Sequence, residues 1–241
     1  MRYIPKNAEP DFMAGWKKGQ LDNGLKLSYN AFPYKGKLND ILREEQRGIC
    51  CYCQRRIDHY QDSSERGSHN EHLYPENRPS DPTSFARQLD YNNIFACCID
   101  SKGHKDYEQY LRHCGESKGN DIIPELIKES DCSDYFRYNF KGEIVPNGKF
   151  YSWDEYVAHK DDLSGKVLEA FECVDKLNLN CITLVNYRWE MQSAMISAVK
   201  SWNPDRINSY ISGMLNSKPY PELIDMRLQY LKERIKIVTG N

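Results

Sequence analysis

The sequence predicts an α+β protein built from a metal-stapled module rich in cysteine, a β-hairpin and a C-terminal bundle of helices. Three observations carry this. Cys50-Cys51-Tyr52-Cys53 contains a Cys-x-x-Cys knuckle, and Cys97-Cys98 follows downstream with Glu71-His72 in between. Two thiolates at that spacing can hold one tetrahedral zinc ion without strain. Phe136-Arg137-Tyr138-Asn139-Phe140 alternates, then Lys141-Gly142 precedes Glu143-Ile144-Val145, which reads as two strands joined by a tight turn. From Trp153 onward, apolar residues recur at helical spacing.

In chain order, residues 1–40 mix aromatics, glycine and lysine without a clean period and predict an irregular arm packed on the body. Residues 38–46 predict a helix, with Ile41 and Leu42 followed by charged residues and Gly48 placed to end it. The arm and this helix make a first region, residues 1–45. Residues 46–125 form the motif-rich module. Within it, residues 59–70 read as a polar surface loop, and Pro75, Pro79 and Pro82 mark a second loop. Residues 84–89 predict a short helix, residues 93–98 a strand, and residues 106–112 one or two helical turns. Residues 126–241 hold the hairpin and the helical region, a candidate docking surface for a partner. Its apolar stripes are Val167, Phe171, Val174 and Leu177; Val185, Trp189, Ile196 and Val199; and Ile224, Leu228, Leu231 and Ile235.

Composition bounds the function. The chain has 241 residues, 39% hydrophobic and 28% charged, enough for a sizeable core. No apolar run approaches the roughly 20 residues that span a bilayer. The opening Met1-Arg2-Tyr3-Ile4-Pro5-Lys6 lacks the apolar stretch of a signal peptide, so the expected location is the cytoplasm, away from membranes. Nine cysteines suit a disulfide framework poorly in such a chain, and metal ligation accounts for four of them better. Cys132, Cys173 and Cys181 read as ordinary buried thiols. The formal net charge of −2 gives no basic excess, so a nucleic-acid binder of this composition would draw much of its phosphate attraction from a partner.

The motifs point to phosphodiester chemistry. Cys50 and Cys53 form the first ligand pair. Cys98 and Cys114 are the preferred second pair, with Cys97, His104 and His113 as rivals. Cys51 fits less well, because Cys51 and Cys53 point to opposite sides of an extended chain. Hydrolysis of a phosphodiester needs an activated water and charge relief on the phosphorane. His72, neutral near pH 7, can take the proton of that water. Glu71 offers oxygen ligands of the kind magnesium and manganese prefer. In an extended chain Glu71 and His72 would point apart, so a kink or a loop is expected there. Asn93 can hold the histidine loop, since its amide donates and accepts at once. Histidines 59, 104 and 159 read as surface residues, and His69, three residues before His72, stands between the two classes.

Taken together, Cys-x-x-Cys, Glu71-His72-x-x-Pro75, the run Asn93-Ile94-Phe95-Ala96-Cys97-Cys98, and His113-Cys114-Gly115-x-x-Lys118-Gly119 resemble the zinc-bound HNH endonucleases with a ββα-metal core. The match is closer to the HNH subunit of Septu-type antiphage systems, which also occurs in retron-associated modules. The opening Met-Arg-x-Ile, the phrase Cys51-Tyr52-Cys53-Gln54-Arg55-Arg56-Ile57, and Leu177-Asn178-Leu179-Asn180 resemble the same family. The resemblance implies His72 as general base, Glu71 on a catalytic Mg²⁺ or Mn²⁺, Asn93 ordering the histidine loop, and Cys50, Cys53, Cys98 and Cys114 on a structural Zn²⁺. That family often places His or Asn directly after the final cysteine, where this chain has Gly115. Asn120 or Glu116 is then expected as the replacement ligand, with Lys118 near the phosphate. The resemblance also implies an SMC-like or ABC-like ATPase partner and, in retron modules, a reverse transcriptase with its RNA–DNA.

The expected function is therefore a metal-dependent endonuclease subunit, licensed by an ATPase, that cuts DNA or host RNA such as tRNA during phage infection. Two other readings are a non-catalytic zinc-stapled module that bridges an ATPase to nucleic acid, and a free-standing restriction-type nuclease. An intact Glu71-His72 pair favours catalysis over the first. The lack of basic excess and of a sequence-reading module weighs against the second.

Overall fold

A computed structural model of the chain describes residues 1–57, 67–76, 81–99 and 109–240. The positions of His59, Pro79 and His104 lie outside the described residues. The fold is α+β, with two small two-stranded antiparallel sheets. Its helices are α1 (Asp11–Asp22), α2 (Lys35–Glu45), α3 (Pro82–Arg87), α4 (Gly115–Lys118), α5 (Trp153–Ala158), α6 (Gly165–Lys176), α7 (Ile182–Val199), α8 (Pro204–Asn216) and α9 (Ile224–Thr239). The strands are β1 (Ser68–His72), β2 (Ile94–Cys98), β3 (Phe136–Tyr138) and β4 (Ile144–Pro146). No helix among the described residues is long and apolar enough to cross a membrane.

The arm is not irregular, because α1 occupies residues 11–22. Its period escapes the sequence because Met13 is the one residue of that helix that is buried. Phe12 and Trp16 pack edge-on or stacked against Phe32, and Tyr29 continues this aromatic cluster toward β1. The helix predicted at residues 38–46 is α2. It ends where Arg47 and Gly48 take positive φ of 50° and 76°, and the Gly48 N–H donates to the Arg43 carbonyl at 2.9 Å. Residues 68–70 belong to β1 and not to a loop, and Pro82 opens α3, where its missing N–H costs nothing.

All five residues of β1 pair with β2, from Ser68 opposite Cys98 to His72 opposite Ile94. Helix α2 lies across both strands and satisfies their polar groups. The Gln46 side chain donates to the Ala96 carbonyl and accepts from the Ala96 N–H, each at 2.7 Å. Asn39 donates to Asn70 Oδ1 at 2.9 Å and accepts from Ser68 Oγ at 2.8 Å. A buried Lys6–Glu45 ion pair of 2.7 Å ties the arm to the same helix.

The hairpin forms as predicted, with Gly142 at φ 83° in the turn. A Cβ there would meet the Val185 carbonyl at 2.3 Å, so glycine is required where α7 crosses the turn. On α7 the sequence misplaces the inner face. Leu184, Arg188, Gln192, Met195 and Val199 are buried, whereas Trp189 is 52% exposed. Arg188 is the reason. Fully buried, it donates to the Gly142 carbonyl at 2.5 Å and the Leu179 carbonyl at 2.6 Å, which turns the helix away from the all-apolar stripe.

Several hydrogen bonds join the cysteine module to the helices. Gln54 donates to Asp225 and accepts from its N–H at 3.1 Å, which fixes the start of α9. Asn178, at φ 46°, donates to the Tyr110 and Arg112 carbonyls at 2.9 and 2.8 Å, while the Cys114 N–H donates to the Leu177 carbonyl at 2.8 Å. The Leu177-Asn178-Leu179-Asn180 run thus holds the segment that carries His113 and Cys114. One cluster of buried side chains runs from Met1 to Met226.

Candidate functional site

The knuckle, the end of β2 and the turn before α4 converge on a buried pocket of sulfur. Two overlapping groups of donors form in it: Cys50, Cys97, Cys98 and Cys114, and Cys53, Cys98, His113 and Cys114. The Sγ–Sγ separations are 3.9 Å for Cys50–Cys97, 4.0 Å for Cys50–Cys114 and 3.7 Å for Cys53–Cys98. Four thiolates about 2.3 Å from one tetrahedral zinc would stand about 3.8 Å apart, so this spacing fits such an ion. Backbone N–H groups of Tyr52 and Cys98 point at Cys50 Sγ at 3.5 and 3.4 Å, and that of Gly115 points at Cys97 Sγ at 3.4 Å. These donors stabilise charge on sulfur.

The titration behaviour agrees. Burial pushes the Cys50 thiol up, but hydrogen bonds from Cys114, Cys51, Cys53 and Cys97 outweigh it and hold Cys50 well below its ordinary range. Burial keeps Cys53, Cys97 and Cys114 well above theirs. A bound cation is what would let the raised thiols ionise. These groups could hold a metal ion such as zinc. All four preferred cysteines lie in the pocket, Cys50 in the first group, Cys53 in the second, and Cys98 and Cys114 in both. Cys97 and His113 join them, His113 Nδ1 standing 3.2 Å from Cys114 Sγ. Cys51 is buried but belongs to neither group, and Cys132, Cys173 and Cys181 are buried and form no disulfide.

Beside the pocket, β1 presents two chemically different faces. The expected kink is absent: the ladder runs regularly through Glu71 and His72, so their side chains leave opposite sides of the strand. On one side, His72 is buried with its ring edge-on to Tyr29, centroids 4.5 Å apart. Its Nε2 donates to the Gln88 carbonyl at 2.9 Å, which leaves the lone pair on Nδ1, 3.8 Å from Glu76 Oε2. Burial lowers its pKa below the ordinary 6.5, against the Gln88 carbonyl and the Glu76 and Glu71 carboxylates. The segment after His72 is clamped by Asn93, which accepts from the Tyr74 N–H at 2.8 Å and donates to the Tyr74 carbonyl at 2.9 Å.

On the other side, Glu71 is 7% exposed and closely surrounded. Oε1 takes Lys118 Nζ at 3.0 Å and the Tyr52 hydroxyl at 3.3 Å, and Oε2 stands 3.3 Å from His69 Nε2. Burial alone would raise the Glu71 carboxyl, but His69 and Lys118 hold it below the usual carboxylate range. The half-buried Glu116 acts electrostatically on His69, and Asn120 stands exposed on the turn after α4. His69 is the neighbour of Glu71 that sequence reading underrated. Its signal was the strand period of two, which pairs residue 69 with 71, not with 72.

No protein-family model matches the chain, and no curated protein matches it.

Proposed function

We propose that this chain is the HNH-type endonuclease subunit of a defence assembly, with a ββα-metal core formed by β1, β2 and α4 and a structural Zn²⁺ in the thiol pocket. One observation carries the reading. His72, neutral and fixed through Nε2, directs an unprotonated Nδ1 away from the Gln88 carbonyl, next to a loop that Asn93 locks from both sides. A general base of phosphodiester hydrolysis needs this combination of protonation state, orientation and rigidity.

The residues divide the work. His72 Nδ1 takes the proton of the attacking water, and Glu76, 3.8 Å away, stabilises the imidazolium that results. Gln88 and Tyr29 keep the ring from turning. A divalent cation held at Glu71 would lie across the strand from His72, so it would supply charge relief to a phosphate that reaches both faces at the end of β1. Lys118 adds a fixed positive charge on that face. Cys50, Cys53, Cys97, Cys98, His113 and Cys114 hold the frame, four of them on zinc.

An ATPase partner of the SMC-like or ABC-like type accounts for the missing basic excess, because its groove would bring the phosphate that a chain of net charge −2 attracts weakly. The substrate is nucleic acid, DNA or RNA, since the site acts on a phosphodiester and does not choose the sugar. The test is to purify the chain alone and with the ATPase encoded beside it, then compare cleavage of DNA, total RNA and tRNA at matched salt. The reading expects cleavage by the complex and little by the chain alone. No cleavage of any of these by the complex, with Mg²⁺ or Mn²⁺ present, contradicts it.

A further inference from the structure

Two α4 positions, Gly115 and Lys118, lie directly against Glu71, and neither can ligate a cation. Gly115 has no side chain, and an ammonium such as that of Lys118 has no lone pair to give. The space above Gly115 is nonetheless filled. A Cβ built there would lie 2.5 Å from Glu71 Oε2 and 3.0 Å from His69 Nε2. Gly115 does not adopt a positive φ, so room and not backbone freedom accounts for the glycine. The strand pair occupies the volume that a helix donor would need.

We infer that His69 supplies the second protein ligand of the divalent cation, so that the site is completed from the strand by His69 Nε2 and Glu71 Oε2 instead of from the helix. This rests on the nuclease reading for the cation's purpose, but not for its binding. Nε2 and Oε2 face each other at 3.3 Å, and adjacent ligands about 2.1 Å from an octahedral ion stand about 3.0 Å apart. Oε1 is already taken by Lys118 and Tyr52, which leaves Oε2 as the ligating oxygen. The His69 side chain is 34% exposed, so the remaining coordination positions open to water and to a phosphate. Glu116 adds negative charge on the same side.

The donor set also bears on the ion. One imidazole and one carboxylate disfavour Mg²⁺, which prefers oxygen alone. The site is thus assigned to a divalent first-row transition ion, with Mn²⁺ as its probe. Gly115 becomes a specificity element, since any larger residue there would push the pair apart.

The experiment uses the full zinc-loaded chain and Mn²⁺ as the probe. Isothermal titration gives the affinity, and pulsed electron paramagnetic resonance reads nitrogen coupling from a ligated imidazole. Wild type is expected to bind one Mn²⁺ with nitrogen coupling. His69→Gln, which keeps the side chain polar, is expected to lose the coupling and at least about 10-fold in affinity, the lower end of what losing even an outer-shell partner costs. His72→Ala is expected to keep both. Zinc content and thermal midpoint, measured on each variant, separate ligand loss from misfolding. If a folded, zinc-loaded His69→Gln binds Mn²⁺ as tightly as wild type, or if wild type shows no nitrogen coupling, the inference is overturned even should the complex cleave nucleic acid. If binding follows His69 but no nucleic acid is cut by the complex, the ligand assignment stands and the nuclease reading falls.

Discussion

The two faces of β1 are five residues long and solve opposite problems. The hydrogen bonds of the Asn70 and His72 face are to neutral groups, Tyr29 OH, the Lys35 and Gln88 carbonyls and the Asn39 amide, with Glu76 the charged neighbour at 3.8 Å. The face of His69 and Glu71 is held by charge, with Lys118 and Glu116 around it. A general base must stay uncharged until it acts, and a cation site must stay anionic. Alternation along one strand lets two residues adjacent in sequence keep such different surroundings, because the strand itself lies between them. The cost is that both faces depend on one frame, the sulfur pocket at the Ser68–Cys98 end of the β1–β2 pair.

Breaking that frame should have the largest effect. Structural zinc contributes roughly 10 to 16 kcal/mol to the folding of small zinc domains, which matches or exceeds the ordinary stability of a domain. Cys114→Ser, which removes a donor shared by both groups, is expected to lose zinc and to yield mostly insoluble protein. Elemental analysis and solubility check this, and a soluble variant with full zinc would break the comparison at its base.

Asn93→Ala attacks the neutral face alone. It leaves the Tyr74 N–H and carbonyl without their partner, at a cost of about 1 to 3 kcal/mol each if no water replaces it. The histidine loop would shift, and misplacement by about 1 Å can cost on the order of 10²-fold in rate. Cleavage by the complex should fall accordingly while Mn²⁺ affinity is retained. Equal losses in both would mean that the two faces are not separable.

The pH profile sharpens the same distinction. With its pKa below the ordinary 6.5, His72 is in its basic form throughout the neutral range. The cleavage rate should be flat there and fall on the acid side, as pH drops through that lowered value. A rate that rises toward acid would assign the proton transfer to a different group. Lys118→Met tests the charged face. Removing a buried cation 3.0 Å from Glu71 Oε1 leaves the carboxylate uncompensated, so Mn²⁺ should bind more tightly while the metal-free chain loses stability. Weaker Mn²⁺ binding in a folded variant would show that Lys118 positions Glu71 more than it competes for it.

Much of this was legible in the sequence, and the gaps have physical causes. The knuckle, β2, the hairpin and the end of α2 are local patterns, and each appears where turn chemistry and period put it. Asn93 was readable because an amide can satisfy both an N–H and a carbonyl, which a loop beside a buried histidine requires. Helix α1 was hidden because a single buried residue leaves no stripe. The inner face of α7 was hidden because its buried residues include Arg188 and Gln192, whose hydrogen bonds and not hydrophobicity bring them inside. His69 was hidden by contiguity, which draws attention to Glu71-His72, while a strand pairs residues two apart. Cys97 and Cys98 both enter the sulfur pocket, and no spacing rule chooses between them.

The central claim is that His72 is the base of a phosphodiester hydrolysis. The most direct measurement is the cleavage rate of His72→Ala in the assembled complex with Mn²⁺, with and without added imidazole. Loss of a general base costs about 10² to 10⁴ in rate, and a small base in solution can return part of it when the rest of the site is intact. The account predicts that loss with unchanged zinc content, unchanged Mn²⁺ affinity and partial rescue by imidazole. A folded His72→Ala complex that cuts at the wild-type rate would contradict it.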